Sequence, residues 1–549
     1  MEKTPPPKSG VTKVPSAAPQ TPQHDDVGET SVNIQTLTQL SQRTKFPSSH
    51  DRRPSLPRSA SSMSSYLQTL SYFFRLPWHI QWRTALVQIP RYVPLAILHI
   101  TSRKGPHPFI IALPSRKNIT IPLYVFVPPA PVDLGDGAGL VHNGEWKVPV
   151  VLDFHGGGFI MGSPLEQAPY GSMMSRELGA VVISVSYRIG PFHQFPAAIH
   201  DAEDVLSAIL DTDGISHAGN VLRTEIQRYY SMMRDDELEK GKKSKKGASK
   251  HLNDVKTMTL DPTRLAISGF SAGGNIALNM ALNVPPCAEM LPMSPQPTSA
   301  PTSPAVIAAP SATFSPVLPP IRMPTILDDP LQPWPSILPP TQAQPRMLPL
   351  LLFYPSLDAR LLPHERPMKP MPSALKGDDK KPQTQKMPGL FSIMGPTYLP
   401  KKLRGHPRAS PGLVDPDNIQ KNAAIFLVLP EKDSLAVQSD VWVDQMNQAG
   451  WNGPVRFGDQ RPDDWDGHNG GLSRAPSPKN GGMEVWHAPE CRHGWTQFPE
   501  PFVGKHETEE RIKVFARTLD FVKENWRKTL PIERLGNKIQ DIPPLEIPE

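Results

Sequence analysis

At 549 residues the chain has room for three or four domains of about 150 residues each. Its 68 prolines, about 12% of the chain against an average near 5%, exclude that many regular cores. One lysine-rich patch, "EKGKKSKKGASK" at 239–250, with six lysines and one glutamate, accounts for nearly all of the net charge of +6, so the charge gives no ground for a nucleic-acid partner.

Only Cys287 and Cys491 are present, far apart, which fits a reducing compartment or no reliance on disulfides at all. The opening "MEKTPPPKSG" lacks the apolar core of a secretory signal. No apolar run reaches the roughly 18 residues of a membrane span. The expected location is therefore inside the cell, in the cytoplasm or at the surface of an internal membrane.

Residues 1–63 are Pro, Ser, Thr and charge, too poor in apolar side chains to offset the entropy of ordering, and a disordered arm is expected there. From 64 to 103 aromatic and aliphatic density rises with rough helical spacing. Within it "TALVQIPRYVPLAILHI" (84–100) is broken by Pro90, Arg91 and Pro94. Two readings stay open for 64–103: a helical cap on the main domain, or a membrane-surface segment.

The main domain is placed at 104–530, followed by a tail at 531–549. "HPFIIALP" (107–114) and "ITIPLYVFVPP" (119–129) flank a short polar turn and read as a hairpin. "VPVVLDF" (148–154), "AVVISVSY" (180–187), "RLAISGF" (264–270), "LPLLLFYP" (348–355) and "AAIFLVLP" (423–430) are nearly continuous apolar runs, as suits strands buried on both faces. Helical patterns at 195–210 and 435–450 alternate with them, which predicts an α/β fold with a mostly parallel sheet covered on both sides. Four stretches, 212–260, 285–345, 361–420 and 459–482, are polar, basic or Pro-rich and read as insertions in surface connections.

Two motifs carry chemistry. "GFSAG" puts Ser271 after the strand "RLAISGF" and before the helical "NIALNMALN", the strand–turn–helix context in which a G-x-S-x-G serine becomes an exposed nucleophile. Without that context a serine in a structural turn would be as good a reading. "LDFHGGGFIMGSP" (152–164) carries His155 and three successive glycines. A developing oxyanion needs N–H groups aimed at it, and Gly156 and Gly157, with Ala272 after the serine, are candidate donors. A phosphate loop is disfavoured because no Lys-Ser or Lys-Thr follows.

"HGGGF", "YRIGPFHQFPAAIHDAEDV" (187–205), "GFSAGGN", "YPSLD" (354–358), "KDSL" (432–435) and "HGW" (493–495) occur in the order found in the hormone-sensitive-lipase-like α/β-hydrolases, and the chain resembles that family over about 105–527. The resemblance implies an eight-stranded, mostly parallel sheet, a helical cap, and carboxylesterase or lipase activity through Ser271. Asp433, just beyond a strand's end and in the family's D-x-L position, is preferred as the triad acid over Glu431 and Asp440. His493, in the family's His-Gly-aromatic position, is preferred as the base over His487 within the preceding strand, and Cys491 reads as a structural thiol. Two departures, Phe270 before the serine and Phe192 after "YRIGP", leave substrate preference unassigned.

The expected function is a serine carboxylic-ester hydrolase acting through an acyl-enzyme on a small hydrophobic ester, with no metal or organic cofactor. The alternatives are a non-catalytic small-molecule-binding protein on the same fold, or an amidase or lipid deacetylase. Residues 65–100 are the candidate for peripheral membrane contact. The oligomeric state is not specified by these patterns.

Overall fold

Runs of Val, Ile and Leu with both neighbours apolar cannot leave either face in water, and here they pair into one sheet with a core on each side. The computed structural model describes residues 69–98, 102, 104–116, 119–134, 141–243, 255–285, 333–341, 343–344, 346–367, 388–459 and 481–529. They fall in the compact unit Leu56–Glu549; the unit Met1–Ser55 lies wholly outside them, as do 244–250 of the lysine patch, the tail, and most of the stretches 285–345 and 459–482.

In chain order, helix α1 (Trp78–Gln88) precedes the hairpin β1 (Phe109–Ser115) and β2 (Ile119–Phe126). The two-residue β3 (Val141–His142) leads into β4 (Glu145–Phe154), α2 (Ala168–Leu178), β5 (Val181–Val185) and α3 (Ala197–Leu210). Then come α4 (His217–Lys243), β6 (Thr257–Phe270), α5 (Ala272–Met280), β7 (Leu348–Phe353) and α6 (Leu390–Tyr398). The chain continues through β8 (Ala423–Lys432), α7 (Ala436–Gln448), β9 (Val455–Phe457), β10 (Met483–Arg492) and α8 (Lys505–Trp526).

The sheet runs β1-β2-β5-β4-β6-β7-β8-β10-β9, with β3 paired to β4. β1, β2 and β5 pair antiparallel, β3 pairs antiparallel with β4, and every other pairing is parallel. The expected eight strands become ten among the described residues. The two extra ones, β3 and the edge strand β9, are too short to stand out as apolar runs.

Alternate residues of one strand serve opposite cores. On β4, Val150 and Leu152 face the side covered by α3, α4, α5 and α7, whereas Val151 faces the side covered by α2 and α8. Full burial of each such side chain contributes about 1.5–3 kcal/mol.

Two expected insertions carry regular structure. The stretch 212–260 holds α4, whose Leu222, Ile226 and Tyr230 are buried, and the first residues of β6. Tyr229 stacks on Phe109 of β1 at 4.0 Å. Its many charges lie on the solvent side of an amphipathic helix, which a count of polar residues mistakes for a loop. Within 361–420, α6 is followed by short 3-10 turns. They bring the buried Arg408 over the Trp334 ring at 4.7 Å, and the Arg408 guanidinium bonds Trp334 O at 2.7 Å.

Candidate active site

Ser271, Asp433, His493 and the glycine loop all lie just beyond the carboxyl ends of parallel strands: β6, β8, β10 and β4 respectively. Ser271 sits between β6 and α5 at φ 53°, ψ −113°, a conformation that costs a side-chain-bearing residue about 1–3 kcal/mol. The surroundings hold it there. Its N–H donates to Phe353 O at 2.9 Å, and its carbonyl accepts from Ser356 N at 3.1 Å and Asn275 N at 3.2 Å. The Asn275 side-chain amide donates to Ser356 O at 2.8 Å and Ala409 O at 3.0 Å, tying the loop after β7 and the turns after α6 to helix α5. The approach of that helix to β4 is close enough that a Cβ on Gly273 would overlap the carbonyl oxygen of Phe154.

The three side chains singled out in the sequence meet. Ser271 Oγ lies 2.9 Å from His493 Nε2, and His493 Nδ1 lies 2.7 Å from Asp433 Oδ2. Because a carboxylate accepts, Nδ1 is the protonated nitrogen and Nε2 is left to accept from the hydroxyl. Asp433 is buried, and its other oxygen accepts from Leu435 N at 2.9 Å. The Tyr354 ring backs the imidazole at 4.8 Å. The competitors lie elsewhere: Glu431 accepts from Glu490 N at 3.1 Å, Asp440 is inside α7, and His487 stacks on Phe457 at 4.8 Å. Cys491 is a buried free thiol whose pKa is pushed up by burial and by the carboxylates Glu510 and Glu507.

The N–H groups of Gly156, Gly157 and Ala272 are bonded to no protein acceptor among the described residues. Ala272 opens α5, where helix geometry leaves its donor free. Gly157 adopts φ 107°, and a Cβ there would overlap the Met161 carbonyl, so this turn admits no side chain.

Behind the glycines stands a support that sequence reading did not assign. His155 is fully buried, and burial followed by the nearby Arg91 charge drives its pKa down to about 3, leaving it neutral. Its Nδ1–H donates to Gly156 O at 2.7 Å, and its ring stacks on Tyr187 at 4.2 Å. The Tyr187 hydroxyl donates to His155 O at 2.6 Å. Arg91, arriving from the segment after α1, donates to Tyr187 O at 2.5 Å and Gly162 O at 3.4 Å. The available signal was an arginine flanked by prolines in an otherwise apolar run, read there only as an interruption.

The departures resolve differently. Phe270 is fully buried and stacks on Phe353 at 4.3 Å, so it belongs to the aromatic core beneath the site. Phe192 is half-buried, its ring 6.3 Å from that of Tyr72 in the segment before α1. The rim is apolar: the Phe391 ring lies against Gly158, Phe498 against Gly494, and Phe159 stacks on Tyr398 at 4.7 Å. Among the described residues no group of three or more His, Cys, Asp or Glu is arranged to hold a metal ion.

Residues 151–309 match the α/β-hydrolase fold family. Carboxylesterase 20 of Arabidopsis thaliana is 42% identical over 69 residues, 12% of this chain and 21% of that one. Esterase LipI of Mycobacterium tuberculosis is 48% identical over 58 residues, 10% of this chain and 18% of that one. The chain thus spans about a fifth of the length of these curated relatives. An esterase structure from Pyrobaculum calidifontis aligns over 85% of this chain and 99% of that one, at 16% identity and a TM-score of 0.41. The family match covers the glycine loop and Ser271, while Asp433 and His493 lie beyond it and join the site through the geometry above. The sheet order and the family match over 151–309 together give the chain an α/β-hydrolase fold.

Proposed function

We propose that the protein is a serine carboxylic-ester hydrolase working through an acyl-enzyme on a hydrophobic ester. The observation that carries this reading is the relay Asp433–His493–Ser271, with the serine held at positive φ beside three N–H groups that bond no protein acceptor among the described residues. A ligand-binding site needs no such strained hydroxyl.

His493 Nε2 takes the Ser271 proton as Oγ forms a bond to the ester carbonyl carbon. The carbonyl oxygen becomes an oxyanion, stabilised by the N–H groups of Gly156, Gly157 and Ala272. Asp433 holds the imidazole tautomer and stabilises the imidazolium without taking the proton. As the C–O bond to the alcohol breaks, His493 returns the proton to the leaving oxygen. Water then enters, gives its proton to His493 and attacks the acyl carbon. As that second intermediate collapses, the bond from the acyl carbon to Ser271 Oγ breaks, His493 returns its proton to Oγ, and the acid leaves. The aromatic rim of Phe391 and Phe498 favours an apolar acyl or alcohol group.

Hydrolysis of p-nitrophenyl esters of increasing chain length tests this. The wild-type chain is expected to turn them over, and Ser271→Ala to lose about 10⁴-fold or more in kcat. Equal rates for the two would overturn the reading.

A further inference from the structure

Among the described residues, eight of the seventeen large apolar side chains exposed to solvent lie between 70 and 97. On α1 they fall on one face. Trp78, Trp82, Leu86 and, one turn on, Ile89 follow helical spacing, while Ile80, Thr84 and Val87 on the opposite face are buried. Phe74 before the helix and Tyr92 after it extend the face, and Trp78 and Tyr92 are 76% and 81% exposed. Such a contiguous aromatic surface is unusual for a chain in water alone and marks an interaction site.

Charge selects the partner. Between Asp51 and Asp133 the sequence holds no Asp or Glu. Of the described cations there, Arg91 is turned inward onto carbonyls and Arg116 pairs with Asp204, while Arg75 is exposed beside the face and the Arg83 guanidinium lies 4.3 Å over the Trp82 ring. A second copy would bring these arginines against their own counterparts with no acid of the segment between them. Tryptophan and tyrosine with flanking arginine instead match the headgroup region of a bilayer, and the negative surface of anionic lipid attracts the basic residues. No helix among the described residues is long and apolar enough to cross a membrane, so contact lies in the interfacial plane. The face also continues toward the site: α1 packs on α6, whose Phe391 is exposed and lies against Gly158.

We propose that the outer face of α1 and its flanks docks on an anionic phospholipid surface. This holds whether or not the hydrolase reading does, because it rests on α1 and its flanks alone.

The test is co-sedimentation of the full chain with phosphatidylcholine vesicles, with and without phosphatidylserine, for the wild type and for Trp78→Glu/Trp82→Glu. Both tryptophans are exposed; thermal unfolding reports folding on its own, and hydrolysis of soluble p-nitrophenyl acetate reports basal activity. The expected result is pelleting with the anionic vesicles, weakened by salt and reduced about tenfold or more by the double substitution, with acetate hydrolysis unchanged. Equal pelleting of wild type and variant would overturn the proposal, as would equal pelleting with neutral and anionic vesicles, or none with either. A homodimer in solution that the same substitutions dissociate would assign the face to a second copy and also overturn it.

Discussion

The carboxyl edge of the sheet and the exposed face of α1 are opposite solutions for exposed groups. At the sheet edge Ser271 is held in a costly backbone conformation by three backbone hydrogen bonds, a bridging asparagine and a glycine contact. On α1, aromatic side chains stand in solvent, with one arginine over one of the rings. Strain that so many contacts maintain points to chemistry done within the chain, whereas apolar surface that the chain leaves bare points to something outside it. Substitutions at the first region should therefore cost rate, and those at the second should cost binding.

The contrast breaks most sharply at Asp433. Asp433→Asn keeps the shape but lets the imidazole take the wrong tautomer, and kcat should fall about 10⁴-fold with KM little changed. A loss under about tenfold would make the buried carboxylate structural. Gly157→Ala is expected to cost about 10²–10³ in kcat, because the added methyl cannot sit beside the Met161 carbonyl and the loop must move its donors. Equal kcat for this variant, measured on the same ester, would remove Gly157 from the oxyanion site.

Arg91 joins the two regions, since it leaves the turn after α1 and donates to the carbonyls of Gly162 and Tyr187. As a positioning residue it should act on kcat more than on KM. Arg91→Met is expected to lower kcat about tenfold and to leave vesicle pelleting in place, a split that general unfolding would not produce.

The smallest effect concerns pH. Asp153 is fully buried on β4 beside Ser184, and burial raises its pKa to about 7. The folded state therefore holds a proton that the unfolded state has released, so this group's contribution to stability falls as pH rises from about 4 to about 7. His155 works in the opposite direction, because its folded pKa is depressed to about 3 and its contribution rises with pH up to the unfolded value near 6.5. Asp153→Asn removes only the falling part. Urea midpoints of variant and wild type, compared from pH 4 to pH 7, should shift in the variant's favour as pH rises.

The strands that frame the site were legible because residues buried on two faces have to be apolar nearly throughout, as in "PVVLDF" and "LPLLLF". Ser271 and the glycine loop were legible because tight backbone turns restrict which residues fit. Asp433 and His493 needed family resemblance as well, since a carboxylate or imidazole on a loop carries little local signature. α4 was hidden by its charged outer face, and β3 and β9 by their length. Arg91 was hidden because its partners are carbonyl oxygens 71 and 96 residues away in the chain, a pairing no local pattern records.

The central claim, that Ser271 is a nucleophile activated by His493, is tested most directly by a fluorophosphonate probe followed by peptide mass mapping of the adduct. The account predicts one adduct, on the peptide bearing Ser271, absent from Ser271→Ala and strongly slowed in His493→Ala. Folded wild-type protein that takes no label, or label retained by Ser271→Ala, would contradict it.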